Sequence, residues 1–162
     1  LSRYTKDVVI TYDSDGAGRN AALRAIPILK SVGIVTKVLN MQPYKDPDEF
    51  IKALGREEYE KRIADATPAI FFETDCIKEQ YDTENPEELT KFHNRIASRM
   101  LEFTEELERT NYMKAIAKRY ALDYEEFKRM VNNIARGITK KEESREYTVS
   151  EHIPKKKTEL DI

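Results

Sequence analysis

Val8-Val9-Ile10-Thr11-Tyr12-Asp13-Ser14-Asp15-Gly16-Ala17-Gly18 is the stretch from which the fold can be read. Five β-branched or aromatic residues in a row, stopped by Asp and Gly, predict a strand buried on both faces. Ala17 to Ser31 then carries Ala21, Ala22, Leu23, Ala25, Ile26, Ile28 and Leu29 and ends before Gly33, which predicts a helix with a glycine stop. Pro27 lies inside that pattern and is expected to bend it. Ile34-Val35-Thr36-Lys37-Val38-Leu39 returns to strand composition, and a loop with Pro43 and Pro47 follows. Strand, helix and strand in this order predict a right-handed βαβ unit with parallel strands.

Beyond about residue 56 the pattern becomes helical. Thr67-Pro68 and Asn85-Pro86-Glu87-Glu88 read as caps followed by proline at the first helical position. Leu89, Phe92, Ile96, Met100, Phe103 and Leu107 fall at three- and four-residue spacing, predicting one apolar stripe along a long helix. Asp123 with Glu126 three residues on opens a last helix through Phe127, Met130, Val131 and Ile134 to Gly137. After Gly137 the chain has few apolar residues and clusters of like charge such as Lys155-Lys156-Lys157, the composition of a linker. The reading is therefore α/β plus all-α: a βαβ segment at 1–55, a helical bundle at 56–137 and a flexible tail at 138–162.

Composition bounds the function. The chain has 162 residues with 28 Lys+Arg against 30 Asp+Glu, a net charge of −2 that excludes a protein coating nucleic acid through bulk basicity. Residues 56–110 hold fifteen acidic and eight basic side chains, so that stretch does not suit a phosphate backbone; residues 111–136 hold six basic and three acidic. A single cysteine, Cys76, and two histidines, His93 and His152, leave no zinc cluster and no intrachain disulfide, in keeping with a reducing cytoplasm. No apolar run reaches the ~20 residues of a membrane span. The first residue is Leu1 and not Met, which suggests a cut from a longer chain.

The chemistry is expected at the strand ends, where ligands of open α/β sheets bind. Asp13 and Asp15 are two apart and leave an extended segment on the same side, where paired carboxylates need a proton or a cation between them. Without nearby histidine or cysteine, the matching cation is Mg²⁺ or Mn²⁺, held by one or two carboxylates and completed by water and phosphates. Asp46-Pro47-Asp48 follows the next strand, and a parallel crossover brings both strand ends to one edge, so Asp46 and Asp48 can join Asp13 and Asp15. Gly16 and Gly18 let an anion approach the helix start, and Arg19 can reach a phosphate there. Taken singly, each acidic pair also reads as a polar turn with an aspartate cap, and Arg19 as an exposed helix residue. Cys76, His93, Tyr112, Tyr120 and Tyr124 read as packing or boundary residues, although the tyrosines lie in the locally basic stretch and could stack bases.

The run Val8 to Ala22, with Lys45-Asp46-Pro47-Asp48-Glu49-Phe50-Ile51, resembles the second half of the Toprim domain of bacterial DNA primase, and the similarity continues to about Gly137. The resemblance implies the C-terminal half of that catalytic domain at 1–55, its helical subdomain at 56–137, and a linker toward a helicase-binding domain at 138–162. It implies synthesis of short RNA primers by nucleotidyl transfer, on a single-stranded DNA template and from ribonucleoside triphosphates. Within the family, Asp13 and Asp15 would be the catalytic, metal-holding pair, with Asp46 a further metal ligand and Asp48 a supporting acid. It also implies a partner glutamate, a zinc-binding domain and a basic template grip upstream of Leu1, and a replicative helicase as partner; the fragment alone would then be inactive. Two other readings stand beside it. One is a haloacid-dehalogenase-like phosphatase, whose strand also ends in DxDG but is usually followed by Thr. The other is a non-catalytic helical interaction module.

Overall fold

The computed structural model describes residues 3–12 and 15–150, with side chains through 137. The elements run β1 (Asp7–Thr11), α1 (Gly16–Ser31), β2 (Val35–Leu39), α2 (Pro47–Leu54), α3 (Arg56–Ala64), β3 (Thr67–Pro68), α4 (Ala69–Lys78), α5 (Pro86–Met100), α6 (Glu106–Arg119) and α7 (Tyr124–Ser150). They fall into two compact units, residues 1–80 and 81–162.

The first unit is a small mixed sheet in the order β1-β2-β3, with helices on both faces. β1 and β2 are parallel, with Asp7 opposite Val35 and Thr11 opposite Leu39, as the strand-helix-strand pattern predicts. The connection turns at Gly33, whose φ of 75° suits a residue without Cβ. There the Ile34 N–H donates to the Leu29 carbonyl and the Gly33 N–H to the Lys30 carbonyl, each at 3.0 Å, satisfying the last turn of α1. α1 continues past Pro27, which lies on its exposed side. On one sheet face Ile26, Val38 and Ala69 pack with Ile10, Tyr12 and Phe72. On the other, Leu39, Met41 and Phe50 pack with Val9, Tyr44 and Tyr59.

Two expectations change here. Val8, Val9 and Ile10 are only half-buried, because β1 is an edge of the sheet among the described residues. Thr67-Pro68 is not a helix start but a short strand antiparallel to β2, with Thr67 opposite Val38, and α4 begins after it. Proline is tolerated there because an edge strand can spare one N–H.

In the second unit α5, α6 and α7 enclose Phe92, Ile96, Met100, Ile116, Phe127 and Val131, each no more than 2% exposed. Asn85 caps α5, with Pro86 in the first turn, as expected. The single long stripe is in fact two helices. α5 stops at Met100, and Glu105 caps α6 by accepting from the N–H groups of Leu107 at 3.1 Å and Glu108 at 2.6 Å. Leu107 is consequently 67% exposed, while Phe103, in the turn, stacks on Tyr112 at 4.2 Å. Tyr120 meets Phe92 edge-on at 5.2 Å and Tyr124 lies under Lys114, so these rings serve packing. Asp123 caps α7 through the Glu126 N–H at 2.9 Å. α7 does not end at Gly137 but runs to Ser150, because no proline or capping residue stops it and Lys, Glu and Arg favour helix. The remaining tail, residues 151–162 with the Lys155-Lys156-Lys157 cluster, lies outside the described residues. No helix among the described residues is long and apolar enough to cross a membrane.

Candidate metal centre

The site is built where β1 and β2 end. Their parallel register sets Thr11 beside Leu39, so the chain leaves β1 and β2 at the same edge of the sheet, with Asp15 and Asp46-Pro47-Asp48 following in sequence. Asp13, with Ser14, lies outside the described residues. Asp15 is the N-cap of α1, its Oδ1 accepting from the Gly18 N–H at 2.7 Å while its carbonyl accepts from the Arg19 N–H at 3.2 Å. Asp46 is the N-cap of α2, its Oδ1 accepting from the Glu49 N–H at 2.8 Å. Glu49 in turn accepts from the Lys45 N–H at 2.6 Å, with Pro47 in the first turn. Both aspartates thus fill the capping role that residue types and spacing allow.

Capping and cation binding are compatible. Each capping bond occupies one carboxylate oxygen, leaving the other as a hard donor of the kind Mg²⁺ and Mn²⁺ take. Asp48 is differently placed, paired with Lys52 one turn on at 2.6 Å, both side chains 75% exposed. An ion pair so exposed is worth roughly 0–1 kcal/mol and leaves Asp48 available as a supporting acid. Among the described residues no three carboxylate, histidine or cysteine side chains converge on a ready metal cage. The donor set present fits a cation that keeps most of its water.

Gly16 starts α1, and a Cβ built on it meets no atom within 4 Å, so its surroundings are open to an approaching anion. Arg19 is not free. Its Nη1 pairs with Glu79 Oε2 at 2.6 Å and its Nε donates to Cys76 Sγ at 3.1 Å, tying α1 to α4. The bonds to Glu79 and Cys76 hold the guanidinium further above its already high ordinary value. Burial pushes the Cys76 thiol up and Arg19 opposes it, so Cys76 is a packed thiol, as its apolar neighbours suggest. Burial likewise raises Tyr12, whose ring lies 5.0 Å from Phe72. The part played by α4 is not evident from motif reading; its only sequence signal is the spacing of Phe72, Cys76 and Glu79 on one helix face.

The chain is similar in sequence and fold to known proteins. Residues 1–51 match a family described as Toprim-like. The chain is 32% identical over 117 residues to the DNA primase of Clostridium acetobutylicum, an alignment covering 72% of this chain and 20% of the other. It is 48% identical over 63 residues to that of Aquifex aeolicus, covering 39% and 13%. The E. coli primase catalytic core superposes with a TM-score of 0.59 at 24% identity, covering 76% of this chain and 40% of that one, which speaks for the fold. The chain spans about one fifth of the length of the Clostridium relative. These relatives give no support to the phosphatase or interaction-module readings.

Proposed function

Because the chain is a portion of a bacterial DnaG-type DNA primase, we propose that Asp13, Asp15 and Asp46 hold the divalent cation, Mg²⁺ or Mn²⁺, used to make RNA primers. The observation that supports this is the parallel pairing of β1 with β2, which directs the chain out of both strands at one edge of the sheet. The cation, when bound, gathers the charge of the nucleoside triphosphate and stabilises the attacking and leaving oxygens of nucleotidyl transfer. The protein's own part is orientation. Asp15 and Asp46 are fixed by the helix starts they cap, and Asp48 adds negative charge nearby. The first turn of α1 presents the Gly16 and Ala17 N–H groups to phosphate at its positive end, the Gly18 N–H being taken by Asp15. No side-chain nucleophile is required.

The whole enzyme would act on single-stranded DNA template with ribonucleoside triphosphates in the cytoplasm. A glutamate of an earlier Toprim strand would complete the metal set, a zinc-binding domain would lie elsewhere in the longer protein, and a replicative helicase would be the partner. Helices α5 to α7 serve as a scaffold subdomain.

Titration of the chain with Mn²⁺, followed by its electron paramagnetic resonance signal, tests the reading. The wild-type chain takes up the ion, and the Asp13→Asn, Asp15→Asn double variant does not. Asparagine keeps the cap of α1 while removing the charge, so lost binding reports the ligand role and not a frayed helix. An unchanged titration in the double variant overturns the proposal.

A further inference from the structure

We propose that one face of α4, made of Phe72, Cys76 and Glu79, is the positioning surface for the start of α1 and its cap Asp15; the metal-holding role of Asp15 rests on the preceding reading. The three residues are spaced four and three apart and share a helix face. They grip the chain on both sides of Asp15. Before it, the Tyr12 ring packs on Phe72 with centroids 5.0 Å apart. After it, Arg19 bonds Cys76 Sγ at 3.1 Å and pairs with Glu79 at 2.6 Å. Arg19 is also joined to Asp15 through the backbone, its N–H donating to the Asp15 carbonyl at 3.2 Å. A displacement of Arg19 is therefore felt at the aspartate within one turn of helix.

The choice of residues supports a dedicated clamp. Glu79 is the C-cap of α4, where the helix dipole disfavours a negative side chain. Its pairing with Arg19 offsets that local disadvantage. Cys76 is 6% exposed, so the Arg19 Nε–H is turned toward a protein acceptor and not toward water. Arg19 is thereby a residue that holds the capped start of α1 in place.

The test uses the full chain and two readouts. In Glu79→Gln, amide exchange at Gly18 and Arg19 is expected to quicken about two- to fivefold, the range an exposed ion pair supports, with a parallel rise in the Mn²⁺ dissociation constant. The control is Glu60→Gln, which breaks the Arg56–Glu60 pair of the same unit on α3 and is expected to move neither readout. Unchanged exchange at Gly18 and Arg19 in Glu79→Gln, or equal changes in Glu60→Gln, overturns the clamp. If Glu79→Gln loosens these amides while Asp15→Asn leaves Mn²⁺ uptake untouched, the clamp stands and the metal reading falls.

Discussion

His93 is half-buried on α5 with its ring 5.6 Å from that of Phe92, and burial holds its imidazole below the ordinary value of 6.5. The unfolded chain takes up a proton near that value which the folded chain resists. The contribution of His93 is therefore full above pH 6.5 and declines as the pH falls toward the lower folded value, below which both states are protonated. Thermal unfolding followed across this range should show a fall in midpoint on acidification that His93→Gln reduces. A wild-type and variant profile that run parallel would contradict it. At the same scale, Asp15 and Asp46 show what a sequence can and cannot tell. Their residue type and spacing before a helix make the cap readable, and the hydrogen bonds to Gly18 and Glu49 bear it out. Arg19 was not readable in this way, because its partners Cys76 and Glu79 lie about sixty residues on and no local rule links them.

Elements were legible where short-range signals agreed. α1, its stop at Gly33, β2 and the starts of α5 and α7 follow from periodicity and caps within a few residues. The apolar stripe from Leu89 to Leu107 misled because three- and four-residue spacing survives across the turn after Met100. There the Leu101, Glu102 and Phe103 N–H groups bond three residues back and close α5, and Glu105, whose carboxylate captures two N–H groups, starts α6 anew. At Gly137 the error ran the other way, with a glycine read as a stop where the helix continues. Since a Cβ there meets no atom within 4 Å, Gly137→Ala should stabilise the chain by about 0.5–1 kcal/mol, from backbone entropy alone. Urea unfolding of the two proteins measures it; a destabilised variant would show that Gly137 is not helical in solution.

For the molecule as a whole, burial is uneven from element to element. Ile96, Met100 and Ile116 are wholly inaccessible, whereas Val8, Val9 and Ile10 of β1 are half-buried at the sheet edge. Amides of β1 should accordingly exchange faster than those of α5 and α6 in the isolated chain. Mass spectrometry of exchanged peptides resolves the two, and equal protection would show that something covers β1. The sequence marked β1 as an interior strand because composition records how apolar a strand is, not which neighbours are present to cover it. Near-neutral charge likewise says nothing of local acidity, since a sum over the chain loses the sequence positions of Asp13, Asp15, Asp46 and Asp48. The Arg19–Cys76 contact has one more consequence. Cys76 is the chain's single thiol and is shielded where α1 meets α4. Its rate of colour development with an aromatic disulfide reagent is thus a built-in gauge of that seam, reporting the share of time α1 stands away from α4, with no label to introduce.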